Sequence, residues 1–120
     1  MMISICEAIA KQEGFGVPGG RAMRNNNPGD IEFGIFARQF GADRIETLPP
    51  PRTPRFAHFP TVEQGYAAMR ELLTRHYAAM SIAQMIYKYA PPSENNTEQY
   101  ITDVCAWTGL ERNTLIDKFL

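Results

Sequence analysis

Glu13 is the acidic residue whose place in the sequence best suits acid–base chemistry. Residues 2–13 carry apolar side chains at helical spacing, and Glu13 follows Ile9 by four residues, so we predict that it continues the apolar face of this helix. Burial and the negative end of the helix dipole both favour the protonated carboxyl group, which can then protonate a glycosidic oxygen. The alternative is a glutamate that turns outward at the helix end. Glu7 is predicted to pair with Lys11 in solvent.

An amide-rich turn follows this helix within one loop. Residues 24–30 read RNNNPGD, and Pro28 and Gly29 fit the central positions of a type II turn, which would bring Asn27 and Asp30 together. Neighbouring amides offer a fixed array of donors and acceptors that suits sugar hydroxyls and N-acetyl groups. The same residue types also make tight turns that bind nothing.

Asp30 is a candidate second carboxylate. A separation of about 5 Å between Glu13 and Asp30 would indicate a retaining nucleophile, and about 6.5–9.5 Å an inverting base. If Asp30 faces away, one carboxyl group remains.

Composition narrows the class of protein to a small enzyme or binding module. The chain has 120 residues and a formal net charge of −1, which suits one domain and gives no field that attracts nucleic acid or anionic membranes. The histidines and cysteines are not spaced as a metal site, so we expect no metal and no cofactor. Cys6 and Cys105 are predicted to be buried thiols, with a bridge as the alternative in an oxidising compartment.

The elements that must position these residues differ along the chain. Residues 14–60 hold most of the Gly and Pro and show no helical period, which predicts loops with short strands at 31–34 and 55–59. The prolines at 49–51 predict an exposed extended segment. Four helices are predicted after residue 60, three of them with capping-box spacing at their starts. The capping pairs are Thr61 with Gln64, Ser81 with Gln84, and Thr108 with Glu111. The remaining helix spans Glu98 to Trp107, and the last helix carries Leu115, Ile116 and Phe119.

Four segments carry a family resemblance: the helix ending in Glu13, RNNNPGDI, FAHFPTVEQGYAAMRELL and YAPPSENNTEQYITDV. Together they resemble the small lysozyme-fold domains of phage and bacterial origin, close to soluble lytic transglycosylases and to phage virion or endolysin muramidases. The resemblance implies one mainly α-helical, lysozyme-like domain over residues 1–120, with a loop-rich or short-β lobe at about 15–60. It also implies that Glu13 is the catalytic acid.

The function implied by the resemblance is cleavage of the β-1,4 bond between N-acetylmuramic acid and N-acetylglucosamine in peptidoglycan. One acid/base is sufficient for a lytic transglycosylase, and Asp30 departs from the asparagine that such domains often carry there. Core packing of Tyr89 and Tyr100 is an equal alternative to sugar contact. The substrate-binding residues implied by matching motifs are Asn27, Phe59, Gln64, Tyr89, Asn95 and Tyr100.

A second hypothesis of a different class is a catalytically inactive glycan-binding or virion structural module on the same fold. The N-terminus shows no export signal, so we expect synthesis in the cytoplasm and action on the cell wall after lysis or from a phage particle. The expected partners are peptidoglycan strands and other phage virion proteins, with no nucleic acid and no stable membrane insertion. The chain is expected to be a monomer.

Overall fold

The structure, a computed structural model, describes residues 2–120. About 47% of the chain is helical, which confirms the predicted fold class of a mainly α-helical protein with a little β-structure. No helix within residues 2–120 is long and apolar enough to cross a membrane. The α-helices of this part of the chain are α1 (Ile5–Gln12), α2 (Arg21–Arg24), α3 (Ile35–Gln39), α4 (Val62–Tyr77), α5 (Ile82–Tyr89) and α6 (Thr97–Thr108); the strands are β1 (Arg44–Ile45) and β2 (Ala57–His58).

The chain divides into two compact units. The first contains residues 2–13 and 72–120, and the second contains residues 14–71, so that α4 supplies residues to both. The predicted lobe at about 15–60 falls inside the second unit.

The core of the first unit is built by α1, α5 and α6. Helix α6 packs against both α1 and α5. The apolar faces of these helices are fully buried, and burial of each such side chain stabilises the fold by about 1.5–3 kcal/mol. The buried residues include Ile5, Ile9, Ile86, Ile101 and Val104. This packing fixes the C-terminal end of α1 relative to the first turns of α6.

Helix α1 begins with a capping box that the sequence analysis overlooked. The Ser4 hydroxyl accepts from the Glu7 N–H, and the Glu7 carboxylate accepts from the Ser4 N–H, each at 3.1 Å. The predicted Glu7–Lys11 ion pair is therefore wrong, because Glu7 is used for capping. The Lys11 ammonium lies 4.5 Å from the centre of the Trp107 ring instead.

The capping boxes predicted for α4 and α5 are confirmed. Thr61 and Gln64 exchange bonds between side chain and backbone N–H at 3.2 Å in both directions. Ser81 and Gln84 do the same at 2.9 and 3.2 Å. These reciprocal bonds satisfy backbone donors that a helix start would otherwise leave unpaired.

The last predicted helix is wrong. Thr108 does not cap a new helix but is the final residue of α6, and its hydroxyl donates to the Val104 carbonyl at 2.8 Å. Gly109 then adopts a left-handed φ of 75°, which ends the helix. The following segment runs beside the start of α5, where the Ile82 N–H donates to the Thr114 carbonyl at 3.0 Å, and only a 3₁₀ turn forms at Ile116–Lys118.

The second unit is rich in loops, and its small sheet differs in part from prediction. Strands β1 and β2 pair antiparallel, with Arg44 opposite His58. Only β2 falls within a predicted strand, since residues 31–34 contribute a single bridge from Glu32 to Phe56. Helices α2 and α3 were not predicted because four or five residues are too few to show a helical period. The prolines at 49–51 are exposed, as predicted.

Both cysteines carry thiols and no disulfide joins them. Cys6 is buried and Cys105 is half-buried, and burial raises the pKa of the Cys105 thiol.

Candidate active site

Glu13 is the C-cap residue of α1. Its backbone has φ −82° and ψ 4°, and its N–H donates to the Ile9 carbonyl at 3.0 Å. Because α1 ends at Gln12, the apolar face does not reach Glu13, which is exposed to solvent. The expectation that Glu13 continues the buried apolar face is wrong, and the alternative of a glutamate that turns outward at the helix end describes its exposure.

Tyr100 is the partner of Glu13. The Tyr100 hydroxyl donates to Glu13 Oε2 at 3.0 Å, although 87 residues separate the two in sequence. Tyr100 is only 3% exposed, and this burial, reinforced by the charge of Glu13 and by Tyr89, raises the pKa of Tyr100 well above its ordinary value. The phenol therefore keeps its proton and remains a donor. Within residues 2–120, no other side chain bonds to Glu13, so Oε1 has no protein partner there.

Both members of this pair lie at the ends of helices that are held by the core. Asn96 caps α6, its side chain accepting from the Gln99 N–H at 3.2 Å. The buried Thr97 hydroxyl donates to the Ala90 carbonyl at 2.6 Å and ties the start of α6 to the end of α5. Tyr100, one turn further on, is thus attached to a fixed element. Catalytic groups carried by packed helices are held more accurately than groups on loops.

Asn27 lies in the second unit and is fully buried. Its amide nitrogen donates to the carbonyls of Ile31 and Ala57, both at 2.9 Å, and its amide oxygen accepts from the Ile31 N–H at 3.0 Å. The side chain has no surface to offer a sugar. In this structure Asn27 holds its loop against β2 rather than contacting a substrate.

The predicted turn at residues 27–30 exists but is not of type II. The Asp30 N–H donates to the Asn27 carbonyl at 3.2 Å, which confirms the turn. Type II would require a left-handed Gly29, whereas the left-handed residues here are Asn26, at φ 51°, and Asp30, at φ 46°. An added Cβ at Gly29 would lie 3.1 Å from Met69 Cγ, so the Met69 side chain would have to shift to admit it.

The remaining predicted site residues are divided between the two units and differ in burial. Phe59 is fully buried in the second unit, where Gln64 caps α4 and Asp30 is half-buried. In the first unit, Tyr89 is half-buried with its ring edge-on to Tyr77, and the exposed Asn95 amide donates to the Pro91 carbonyl at 3.3 Å. Of the predicted residues in the first unit, Glu13 and Tyr100 are brought into direct contact.

Glu46 is a buried acid of the second unit that the sequence analysis missed. It is 2% exposed and accepts two bonds from the Arg21 guanidinium, at 2.7 and 2.5 Å. Asn25 and the backbone N–H groups of Arg55 and Phe56 also donate to it. These donors, Arg21 above all, hold the pKa of Glu46 well below its usual range. Glu46 lies in a loop region, where no periodic pattern marks a buried acid.

A second tyrosine–glutamate pair lies on the surface of the first unit. The Tyr87 hydroxyl donates to Glu98 Oε2 at 2.5 Å, and Arg112 donates to both Glu98 oxygens at 2.9 and 3.0 Å. Arg112, followed by Tyr87, lowers the pKa of Glu98 to about 2. Glu98 therefore stays ionised at neutral pH, unlike a group that must donate a proton.

Two open pockets of the first unit adjoin this surface pair. One of ≈ 540 Å³ has Met80, Ala83 and Tyr87 in its lining, and another of ≈ 440 Å³ has Cys105 and Arg112 in its lining. Neither lining includes Glu13.

The fold and this geometry define a mainly α-helical protein that presents a solvent-exposed carboxyl group, held by a buried tyrosine, at a helix end. No protein-family model matches the chain. The chain is similar to Protein P5 of Pseudoalteromonas phage PM2, with 35% identity over an alignment of 98 residues; the match covers 78% of this chain and 58% of that protein. The match thus spans little more than half the length of this relative. A phage relative is consistent with the phage character predicted from the sequence.

Proposed function

We propose that the protein cleaves the β-1,4 bond between N-acetylmuramic acid and N-acetylglucosamine in peptidoglycan, as a lytic transglycosylase or muramidase, with Glu13 as the general acid/base. The observation that carries this proposal is the state of the Glu13 carboxyl group. It is exposed, it receives one hydroxyl bond from Tyr100 on Oε2, and its Oε1 has no side-chain partner within residues 2–120.

Two other carboxylates, Glu46 and Glu98, are poor candidates for proton transfer. Glu46 and Glu98 each bind an arginine through both oxygens, and these bonds lower their pKa values. A carboxylate stabilised in this way does not hold a proton near neutral pH. Glu13 has no arginine or lysine within ion-pair distance in the described part of the chain.

The proposed reaction requires one carboxyl group. Protonated Glu13 donates its proton to the glycosidic oxygen as the bond from that oxygen to C1 of N-acetylmuramic acid breaks. The resulting carboxylate then takes a proton from the nucleophile that attacks C1. If the nucleophile is the 6-hydroxyl of the same sugar, the product is a 1,6-anhydro end; if it is water, the product is a reducing end.

The relative gives independent support for the setting. Protein P5 is a phage protein. A phage whose host has a peptidoglycan wall must pass that wall on entry or on release. A wall-cleaving activity fits this requirement. The resemblance of four sequence segments to lysozyme-fold domains of phages implies the same substrate.

The test is digestion of purified sacculi by the Glu13→Gln variant. Glutamine keeps the size of the side chain and accepts the Tyr100 bond but has no transferable proton, so we expect the rate to fall at least about a hundred-fold. Glu98→Gln is the matched control, since it also removes a carboxylate that accepts a tyrosine hydroxyl, and should retain activity. Equal rates for wild type and Glu13→Gln would refute the assignment. Mass spectrometry of the products, showing anhydro or reducing ends, separates the two reactions.

A further inference from the structure

The Tyr100–Glu13 contact has a chemical role that rests on the proposed function and extends it. We propose that Tyr100 is a positioning residue, which holds Glu13 by Oε2 so that Oε1 is the oxygen that gives and takes the proton. The resemblance to lysozyme-fold domains places Tyr100 among sugar-contacting residues, and the structure points to a different role.

Because Tyr100 is buried, most of its side chain cannot contact a substrate. Tyr100 is 3% exposed, and its ring lies within the packed first unit, where α6 meets α1 and α5. Its hydroxyl is directed at the Glu13 carboxyl group. A side chain in this position acts on a glycan through Glu13.

The bond is compatible with both protonation states of Glu13. With the proton on Oε1, Oε2 is a carbonyl oxygen that accepts from the tyrosine. After the proton leaves Oε1, Oε2 shares the negative charge and accepts more strongly, because hydrogen bonds to ionised acceptors are roughly twice as strong as neutral ones. The interaction therefore strengthens as charge develops on Glu13, which is the condition for stabilising a transition state rather than the bound substrate.

Tyr100 remains the donor of this hydrogen bond throughout the proposed reaction. Burial keeps the Tyr100 phenol protonated by raising its pKa, so it does not compete with Glu13 for the proton. The only direction left for the bond is from Tyr100 to Glu13. Oε1 is then the acidic position in each catalytic cycle.

The experiment compares Tyr100→Phe with Tyr87→Phe in steady-state cleavage of a soluble peptidoglycan fragment. Both changes remove a hydroxyl that donates to a glutamate of the first unit, at Glu13 and Glu98 respectively. We expect Tyr100→Phe to lower kcat on the order of ten-fold with KM unchanged, the size of effect that follows from losing a bond to a charged group. Tyr87→Phe should keep both constants. A raised KM with unchanged kcat would show sugar contact and overturn the proposal.

A second measurement needs no change at Tyr100. A buried hydroxyl proton bonded to a carboxylate exchanges slowly and gives its own proton NMR signal, which we expect to move upfield in Glu13→Gln, since an amide oxygen is a weaker acceptor. A signal that stays in place overturns the proposal even if Tyr100→Phe does not fold.

The two proposals can be distinguished. If wild type cleaves peptidoglycan, Glu13→Gln does not and Tyr100→Phe equals wild type, the positioning role of Tyr100 is wrong and the proposed function stands. If the wild-type protein does not cleave peptidoglycan, both the proposed function and the positioning role of Tyr100 are wrong.

Discussion

Two carboxyl groups, one in each unit, show how different surroundings separate a structural acid from the acid that we propose to be reactive. Glu46 in the second unit is buried and receives five hydrogen bonds, two of them from Arg21. Glu13 in the first unit is exposed and receives one, from the neutral Tyr100 hydroxyl. A carboxylate with every lone pair occupied is held ionised and stabilises the fold, whereas one with a free oxygen can exchange a proton with a ligand. The number and charge of the donors decide the difference.

Replacement of each acid by glutamine should affect folding very differently, and this is the largest effect expected. Glu46→Gln replaces a buried carboxylate by an amide whose NH2 group cannot accept from the half-buried Arg21 guanidinium or from the backbone N–H groups, so we expect the free energy of unfolding to fall by about 2–4 kcal/mol. Glu13→Gln should change it by less than about 1 kcal/mol, because the site is exposed. Denaturation with urea measures both values. Equal losses would remove the distinction between the two acids.

Acid should act on stability through Glu46. Its pKa is lowered in the folded protein, so the unfolded state binds more protons as the pH falls. The stabilisation is complete above the unfolded pKa of about 4.3 and is lost progressively as the pH drops below it. Urea midpoints measured between pH 6 and pH 3 should decline in wild type and decline less in Glu46→Gln. Parallel curves would contradict this role.

Removal of a single neutral donor should give the smallest effect. Asn25→Ala takes away one of the five donors to Glu46 and leaves both Arg21 bonds, so a loss of about 1–2 kcal/mol is expected. The same urea experiment detects it. A loss as large as that of Glu46→Gln would mean that the amide, and not the guanidinium, holds the carboxylate.

Short-range signals in the sequence predicted the helices well where capping residues and apolar period agreed. The starts of α4 and α5 follow from the Thr61 and Ser81 capping boxes, and the same spacing at Ser4 and Glu7 would have placed the start of α1. The prediction of a last helix was wrong because Gly109, whose left-handed backbone ends α6, outweighs the capping-box spacing at Thr108.

The candidate site was predictable only in part, for a physical reason. Sequence position identified Glu13 at the end of a helix, and the resemblance to lysozyme-fold domains suggested Tyr100 as a site residue. The bond between them depends on tertiary packing, which has no local signal. The same limit applies to Glu46 and Asn27. Their buried polar side chains bind partners that are distant in sequence, such as Arg21 and the Ala57 carbonyl. Loop sequences carry no periodic pattern that would reveal such burial.

The first unit is assembled from two stretches of chain, residues 2–13 and 72–120, with the whole second unit between them in sequence. During synthesis, Glu13 therefore leaves the ribosome 87 residues before Tyr100. An unfinished chain contains the acid without its donor and without α6 to hold the end of α1. The proposed reactive group is completed only when translation has passed Tyr100, so the competence of Glu13 is tied to the timing of synthesis and not only to its chemistry.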